Sequence, residues 1–119
     1  MPQRISPDAV VSPLTREDRR SLALHAVVAQ RLAERPDVTV ARAKATLQRM
    51  RVANPDASQL LREWDLILHS PLADVLAVLC DPSERARELR HATPFAGVLS
   101  PRERADVYRE IRRAEVSAQ

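Results

Sequence analysis

The chain has 119 residues, of which 45% are hydrophobic and 3% aromatic, and its 19 Lys and Arg residues face 16 Asp and Glu residues. This length fits a single domain, and a net charge of +3 without a long run of like charge does not fit a nucleic-acid-binding tail. A single cysteine, Cys80, excludes a disulfide within the chain and is typical of a reducing compartment. The apolar segments are too short to span a bilayer and no signal-peptide pattern is visible, so we expect a cytoplasmic protein with no membrane partner.

Prolines divide the chain into short segments. Residues 1–13 contain three prolines and are predicted to form a flexible leader, and residues 14–116 are predicted to form a single helical domain. Thr15 and Asp18 have the spacing of a capping box, which predicts a helix from there to about Glu34. Its apolar side chains recur at helical spacing and are Leu24, Val27, Val28 and Leu32.

The next two helices are predicted from the same periodicity. The second begins with Thr39 as its expected N-cap, and its inner face consists of Val40, Ala43, Leu47 and Met50. Asp56 or Ser58 is the expected cap of the third helix. The third helix has the most apolar face of the chain, made of Leu60, Leu61, Trp64, Ile67 and Leu68.

Three further helices follow. The fourth is predicted to begin with Pro71 and to bury Leu72, Val75, Leu76 and Leu79. The fifth runs from Ser83 to about His91. The sixth begins with a capping box at Ser100 and runs to about Glu115, with Ala105, Tyr108 and Ile111 inward. Because no segment alternates at a period of two, the sequence predicts an all-α fold, a small bundle of about six short helices joined by proline-containing turns.

The segment 90–101 differs from the rest of the chain. It holds the only phenylalanine, Phe95, and the only glycine, Gly97, between two prolines. Two interpretations stay open at this point. Phe95, Val98 and Leu99 either close the core beneath the last helix or dock onto a partner.

The sequence offers no catalytic or metal-binding pattern. His25, His69 and His91 lie far apart without a metal-ligand spacing, and a single glycine does not support a phosphate-cradling loop. His25 is predicted to lie at the edge of the core. Cys80 lies at the end of an apolar helix and is predicted to be a buried, unreactive thiol. We therefore expect no enzymatic activity, no catalytic residue, no metal and no cofactor.

DNA binding is an alternative. The first two helices, joined at residues 35–38, have the length of a helix-turn-helix, and the second is basic. The residues that would reach DNA are Arg42, Lys44, Gln48 and Arg49. A solvated basic face is the favoured interpretation, because the connection contains proline and lacks glycine and the net charge is small.

Residues 14–25, 83–90 and 94–104 resemble a family of short actinobacterial proteins encoded beside toxin genes, and the resemblance covers about residues 14–112. It implies an antitoxin, a small helical protein that neutralises a toxin enzyme by direct contact. The expected toxin is a nucleotide-using enzyme, such as a zeta-type kinase or a nucleotidyltransferase. The alternative is a DNA-binding transcriptional regulator, with autoregulation as a secondary property.

The expected interface lies on the fifth helix and the segment after it. Three arginines beside an apolar segment have the composition of an interface hot spot. We expect Arg85, Arg87, Arg90 and Phe95 to contact the toxin, with His91 at the margin of the interface. The arginines are expected to pair with catalytic carboxylates of the toxin. Replacing Arg87 and Arg90 by glutamate is expected to abolish neutralisation without unfolding the chain.

Overall fold

The computed structural model describes residues 14–117, and this part of the chain is an all-α bundle. It contains six α-helices and two short 3-10 turns, Pro55–Ala57 and Ala96–Val98, and no strand. The predicted fold class is therefore confirmed, whereas the predicted leader lies outside the described residues. The helices are α1 Arg16–Glu34, α2 Pro36–Ala53, α3 Ser58–Leu68, α4 Leu72–Cys80, α5 Glu84–His91 and α6 Pro101–Ser117.

Three helices begin with side-chain caps, and those at Thr15 and Ser100 are the capping boxes that the sequence predicts. Thr15 and Asp18 form a reciprocal capping box, in which each side chain accepts a hydrogen bond of 3.1 Å from the other residue's backbone N–H. The Ser83 hydroxyl accepts from the backbone N–H of residue 86 at the start of α5. Ser100 and Glu103 repeat the capping box at α6, with distances of 2.9 and 3.1 Å.

Two predicted caps are wrong. α2 begins at Pro36, immediately after Arg35, and Thr39 is buried within its first turns. Proline at the first helical position has its φ already set for a helix, so α2 starts earlier than a hydroxyl cap would place it. Neither Asp56 nor Ser58 caps α3, because the 3-10 turn Pro55–Ala57 runs directly into the helix.

The core is centred on Trp64. Its indole N–H donates to the carbonyl oxygen of Leu89 over 2.7 Å, and its ring packs against that of Phe95 in a T-shaped arrangement with a centroid distance of 5.8 Å. Each large side chain buried here stabilises the fold by about 1.5–3 kcal/mol. The other buried residues of this apolar cluster are Val28, Leu32, Ala43, Leu47, Leu61, Leu68, Val75, Leu79, Leu89, Val98 and Leu99.

The last helix packs differently from the others. α6 has no fully buried residue, and Ala105, predicted to face inward, is exposed. Arg31 on α1 binds Glu103 through both guanidinium NH2 groups and also donates to the carbonyl oxygen of Val98. The guanidinium of Arg20 lies 4.7 Å from the centre of the Tyr108 ring, a cation–π contact. α6 is therefore attached to α1 partly through an ion pair and a cation–π contact.

The predicted burial of Leu72 is wrong, because this residue lies at the start of α4 and is exposed. Within residues 14–117, no helix combines the length and the apolar character needed to cross a membrane.

Candidate partner-binding surfaces

The segment after α5 closes the core. Phe95 is 1% exposed, and Val98 and Leu99 are also buried. Of the two interpretations left open by the sequence, the structure therefore supports the first. Phe95 is not available on the surface, and its expected contact with a partner is corrected.

Arg90 is also an interior residue. Its side chain is 2% exposed and donates to the backbone carbonyl oxygens of Val78, at 2.9 Å, and Asp81. Burial lowers the pKa of Arg90, against the charge of Asp81, which raises it. The arginine satisfies carbonyl groups at the end of α4, where a cation is favoured. Its role is therefore structural, and the expected contact between Arg90 and a partner is corrected as well.

The other predicted contact residues of α5 reach the surface. Arg85, Arg87 and His91 form what we call the α5 face. Arg85 pairs with Glu63 of α3 and, at 2.9 Å, with Glu88 of its own helix. Arg87 and His91 both lie against the carboxylate of Asp18 on α1, at 3.2 and 3.6 Å.

Asp18 is the buried carboxylate that contacts Arg87 and His91 of the α5 face. It is 4% exposed, and it accepts from the backbone of Thr15 as well as from Arg87. Burial acts to raise the pKa of Asp18, but the hydrogen bonds with Thr15 and the charge of Arg87 outweigh it and hold that pKa below its usual value. A charge at position 87 thus compensates a buried carboxylate. The expectation that glutamates at 87 and 90 leave the fold intact is corrected. Arg87→Glu removes a partner from the buried carboxylate of Asp18, and Arg90→Glu places a carboxylate at an interior position that faces carbonyl oxygens.

The sequence did not identify Asp18 and Glu63 as parts of the site. From the sequence, Asp18 is predicted only as a capping residue, and Glu63 has no predicted role. Their partners lie 69 and 22 residues away in the chain. No local pattern signals such pairs.

The predicted DNA-facing residues lie on α2. Arg42, Gln48 and Arg49 are exposed, and Lys44 is half-buried. Only Arg35 separates α1 from α2, whereas a helix-turn-helix joins its helices with a turn of three or four residues. The predicted turn at residues 35–38 is therefore wrong, and the two helices do not have the spacing of that motif.

His25 lies beside a small cavity of about 100 Å³ between α1, α6 and the segment 93–99. Its Nδ1 is 2.7 Å from the carbonyl oxygen of Ser21, which only accepts, so Nδ1 carries the proton. Nε2 then accepts from the Thr93 hydroxyl at 2.9 Å. Burial lowers the pKa of His25, and this core-edge role is as predicted. An engineered cavity of about 150 Å³ holds benzene, so this one is too small for a nucleotide.

Cys80 is exposed, and the prediction of a buried thiol is wrong. Leu79 is buried, and the next residue points about 100° further around the helix, away from the core. Among residues 14–117, no three His, Cys, Asp or Glu side chains lie together in an arrangement that could hold a metal ion.

Comparison of the chain with protein-family models, curated proteins and solved structures finds no match.

Proposed function

We propose that this protein is the antitoxin of a toxin–antitoxin pair, which neutralises its cognate toxin enzyme by direct contact that blocks the active site. The proposed partner is a nucleotide-using enzyme, such as a zeta-type kinase or a nucleotidyltransferase. The resemblance of residues 14–25, 83–90 and 94–104 to antitoxins motivates the proposal. The proposed contact surface is the α5 face.

The observation that carries the proposal is the way in which the α5 face is held. Carboxylates from two other helices, Asp18 and Glu63, fix the guanidinium groups of Arg87 and Arg85. An arginine that is already ordered loses less side-chain entropy when it binds. Arginine is also among the residues that contribute most to binding energy at protein interfaces. A fixed pair of arginines with the exposed His91 beside them therefore has the properties of a preorganised binding surface.

The test is growth rescue by variants of the α5 face, with the toxin co-expressed from the adjacent gene. Arg85→Ala and His91→Ala remove side chains that are 40% and 61% exposed, so the fold should lose no more than about 1 kcal/mol. Together they should weaken the complex by about tenfold or more and reduce rescue. Arg109→Ala with Arg113→Ala is the matched control, since both arginines make similar exposed ion pairs on α6.

Loss of rescue in the α5 variant alone, with an unchanged circular dichroism spectrum, is the expected outcome. Full rescue by the α5 variant would remove the α5 face from the interface. Equal loss in both variants would point to a different surface.

A DNA-binding regulator is the second candidate. The observation in its favour is the exposure of Arg42, Gln48 and Arg49 along one helix. The missing turn between α1 and α2 weighs against it. Binding of duplex DNA that weakens steeply with salt and is lost on replacing Arg42 and Arg49 would favour the regulator.

A further inference from the structure

The outward face of α2 carries an apolar seam that nothing in residues 14–117 covers. Val38 is 60% exposed and Val52 is 84% exposed, although both are large apolar side chains. Ala45 lies midway between them and is also exposed. These three residues are seven apart, which places them one above the other on a helix. Ala41 follows Val38 by three residues, and Gln48 follows Ala45 by three residues. Val38, Ala45 and Val52 therefore have the spacing of a positions in a heptad repeat, and Ala41 and Gln48 that of d positions.

Basic residues flank the seam on both sides. Arg42 and Arg49 occupy one flank, and Lys44 and Arg51 occupy the other, where Asp37 at the N-terminal end is the one acidic residue. Arg51 has a distant ion pair with Asp65 at 3.7 Å, and Arg49 donates to the Thr46 hydroxyl. Arg42 has no ion pair among the residues that the structure describes. Most of this positive charge is therefore not neutralised within the described chain.

We propose that this seam, which we call the α2 seam, docks an amphipathic helix of another protein whose apolar stripe is flanked by Asp and Glu. Seam residues contact the apolar stripe of the incoming helix, and the flanking cations pair with its carboxylates, as in coiled coils. From residue 38 to residue 52 the seam is about 21 Å long, enough for about three or four turns of a partner. The inference goes beyond the proposed function, because it holds whether or not the partner is a toxin.

A second copy of the chain is a poor occupant of the α2 seam. In an antiparallel pair, each flank would lie against the same flank of the other copy. Arg42 and Arg49 would then face arginines, and Asp37 would be the one acidic residue among the flanking positions. In a parallel pair, Lys44 would face Arg49 of the other copy. Like charges across such a seam are destabilising, so the charge pattern favours an acidic partner over self-association.

Nucleic acid is also disfavoured. A helix that reads DNA presents polar side chains to base edges and phosphates, whereas four of the five seam positions of α2 are valine or alanine and only Gln48 is polar. Exposed valines in heptad spacing gain more from burial against another helix than from a polar groove.

The test uses two synthetic helical peptides of about three heptads, identical except for their flanks. Both have leucine along the apolar stripe, and one has glutamate and the other lysine at the flanking positions. Fluorescence anisotropy at physiological salt measures their binding to the full chain. The glutamate peptide should bind about tenfold more tightly than the lysine peptide. Val52→Asp, which puts a charge into the seam, should weaken the binding of the glutamate peptide.

Charge reversal sharpens the test. Arg42→Glu with Arg49→Glu should reverse the preference, so that the lysine peptide binds more tightly. Arg112→Glu with Arg113→Glu makes the same change in net charge on exposed positions of α6, and should leave the preference as it was.

Three results would overturn the inference. The first is equal binding of the two peptides, and the second is absence of binding by both. The third is tighter binding of a short DNA duplex than of the glutamate peptide at the same salt concentration, with the duplex binding lost in the Arg42→Glu, Arg49→Glu variant. That outcome would assign the face to nucleic acid instead.

Discussion

Arg87 on α5 donates a hydrogen bond of 3.2 Å to Oδ2 of Asp18 on α1, and the carboxylate that accepts it is almost completely buried. The same carboxylate caps α1 through Thr15. The Asp18 side chain thus caps the start of α1, pairs with the Arg87 cation and orients the α5 face. The stability of the fold and the shape of the proposed binding surface therefore depend on the same residue.

Asp18→Asn should lower the free energy of unfolding by about 2 kcal/mol, because Arg87 and His91 lose their negative partner at a buried position. Urea denaturation followed by circular dichroism measures the change. Asp106→Asn is the control, since Asp106 makes an exposed ion pair with Arg109 and should change stability by no more than about 0.5 kcal/mol. Equal effects of the two substitutions would contradict the role assigned to Asp18.

Stability should fall in acid. Hydrogen bonds from Arg31 and from the backbone of Ser100 lower the pKa of Glu103 from 4.5 to about 2, and the pKa of Asp18 is also lowered, from 3.8. A carboxyl group with a lowered pKa in the folded state stabilises the fold fully above its unfolded pKa, and this contribution is lost as the pH falls towards the folded pKa. We expect the melting temperature to drop between about pH 5 and pH 2.

Glu103→Gln isolates one of these two groups. The variant should show a shallower drop in melting temperature over the same pH range, because glutamine does not titrate. A curve parallel to that of the unmodified chain would contradict the assigned pKa of Glu103.

His25 should give a second pH dependence with its own window. Burial lowers its pKa from 6.5, so the unfolded chain takes up a proton at a higher pH than the folded chain does. The contribution of the neutral ring is fully present above pH 6.5 and decreases as the pH falls below that value. His25→Gln should remove this slope from the free energy of unfolding measured between about pH 6.5 and pH 5. An unchanged slope in the variant would contradict the burial of His25 as a neutral base.

Phe95→Ala should destabilise the fold by about 3–5 kcal/mol, because it empties a buried site against Trp64. The fluorescence of the single tryptophan reports the transition directly. Leu66→Ala removes a large apolar side chain from an exposed position of α3 and should cost well under 1 kcal/mol. A small effect at Phe95 would reopen its interpretation as a contact residue.

The helix starts at Thr15, Ser83 and Ser100 could be predicted from sequence because capping is local, involving residues three apart. Helical periodicity likewise predicted most of the core, including Trp64. The burial of Arg90 could not be predicted in this way. A cationic residue on a short basic helix is expected at the surface, and no local pattern indicates that Arg90 donates to carbonyl oxygens at the end of α4.

The candidate surfaces were only partly predictable. The composition of α5 predicts Arg85 and Arg87 as contact residues, which stays a prediction, and their ion-pair partners on α1 and α3 become neighbours only through tertiary packing. Val38 and Val52 lay outside the predicted inner face of α2, but the sequence analysis assigned them no surface, and the structure shows that both are exposed on the same helix.

The most direct test of the antitoxin proposal is co-expression of the full chain with the product of the adjacent gene, scored by growth and by size-exclusion chromatography. The account predicts that the neighbour alone arrests growth, that co-expression restores it, and that the two proteins elute together as a stable complex. A neighbour that is harmless, or a toxic neighbour that is neither rescued nor bound by this chain, would contradict the proposal.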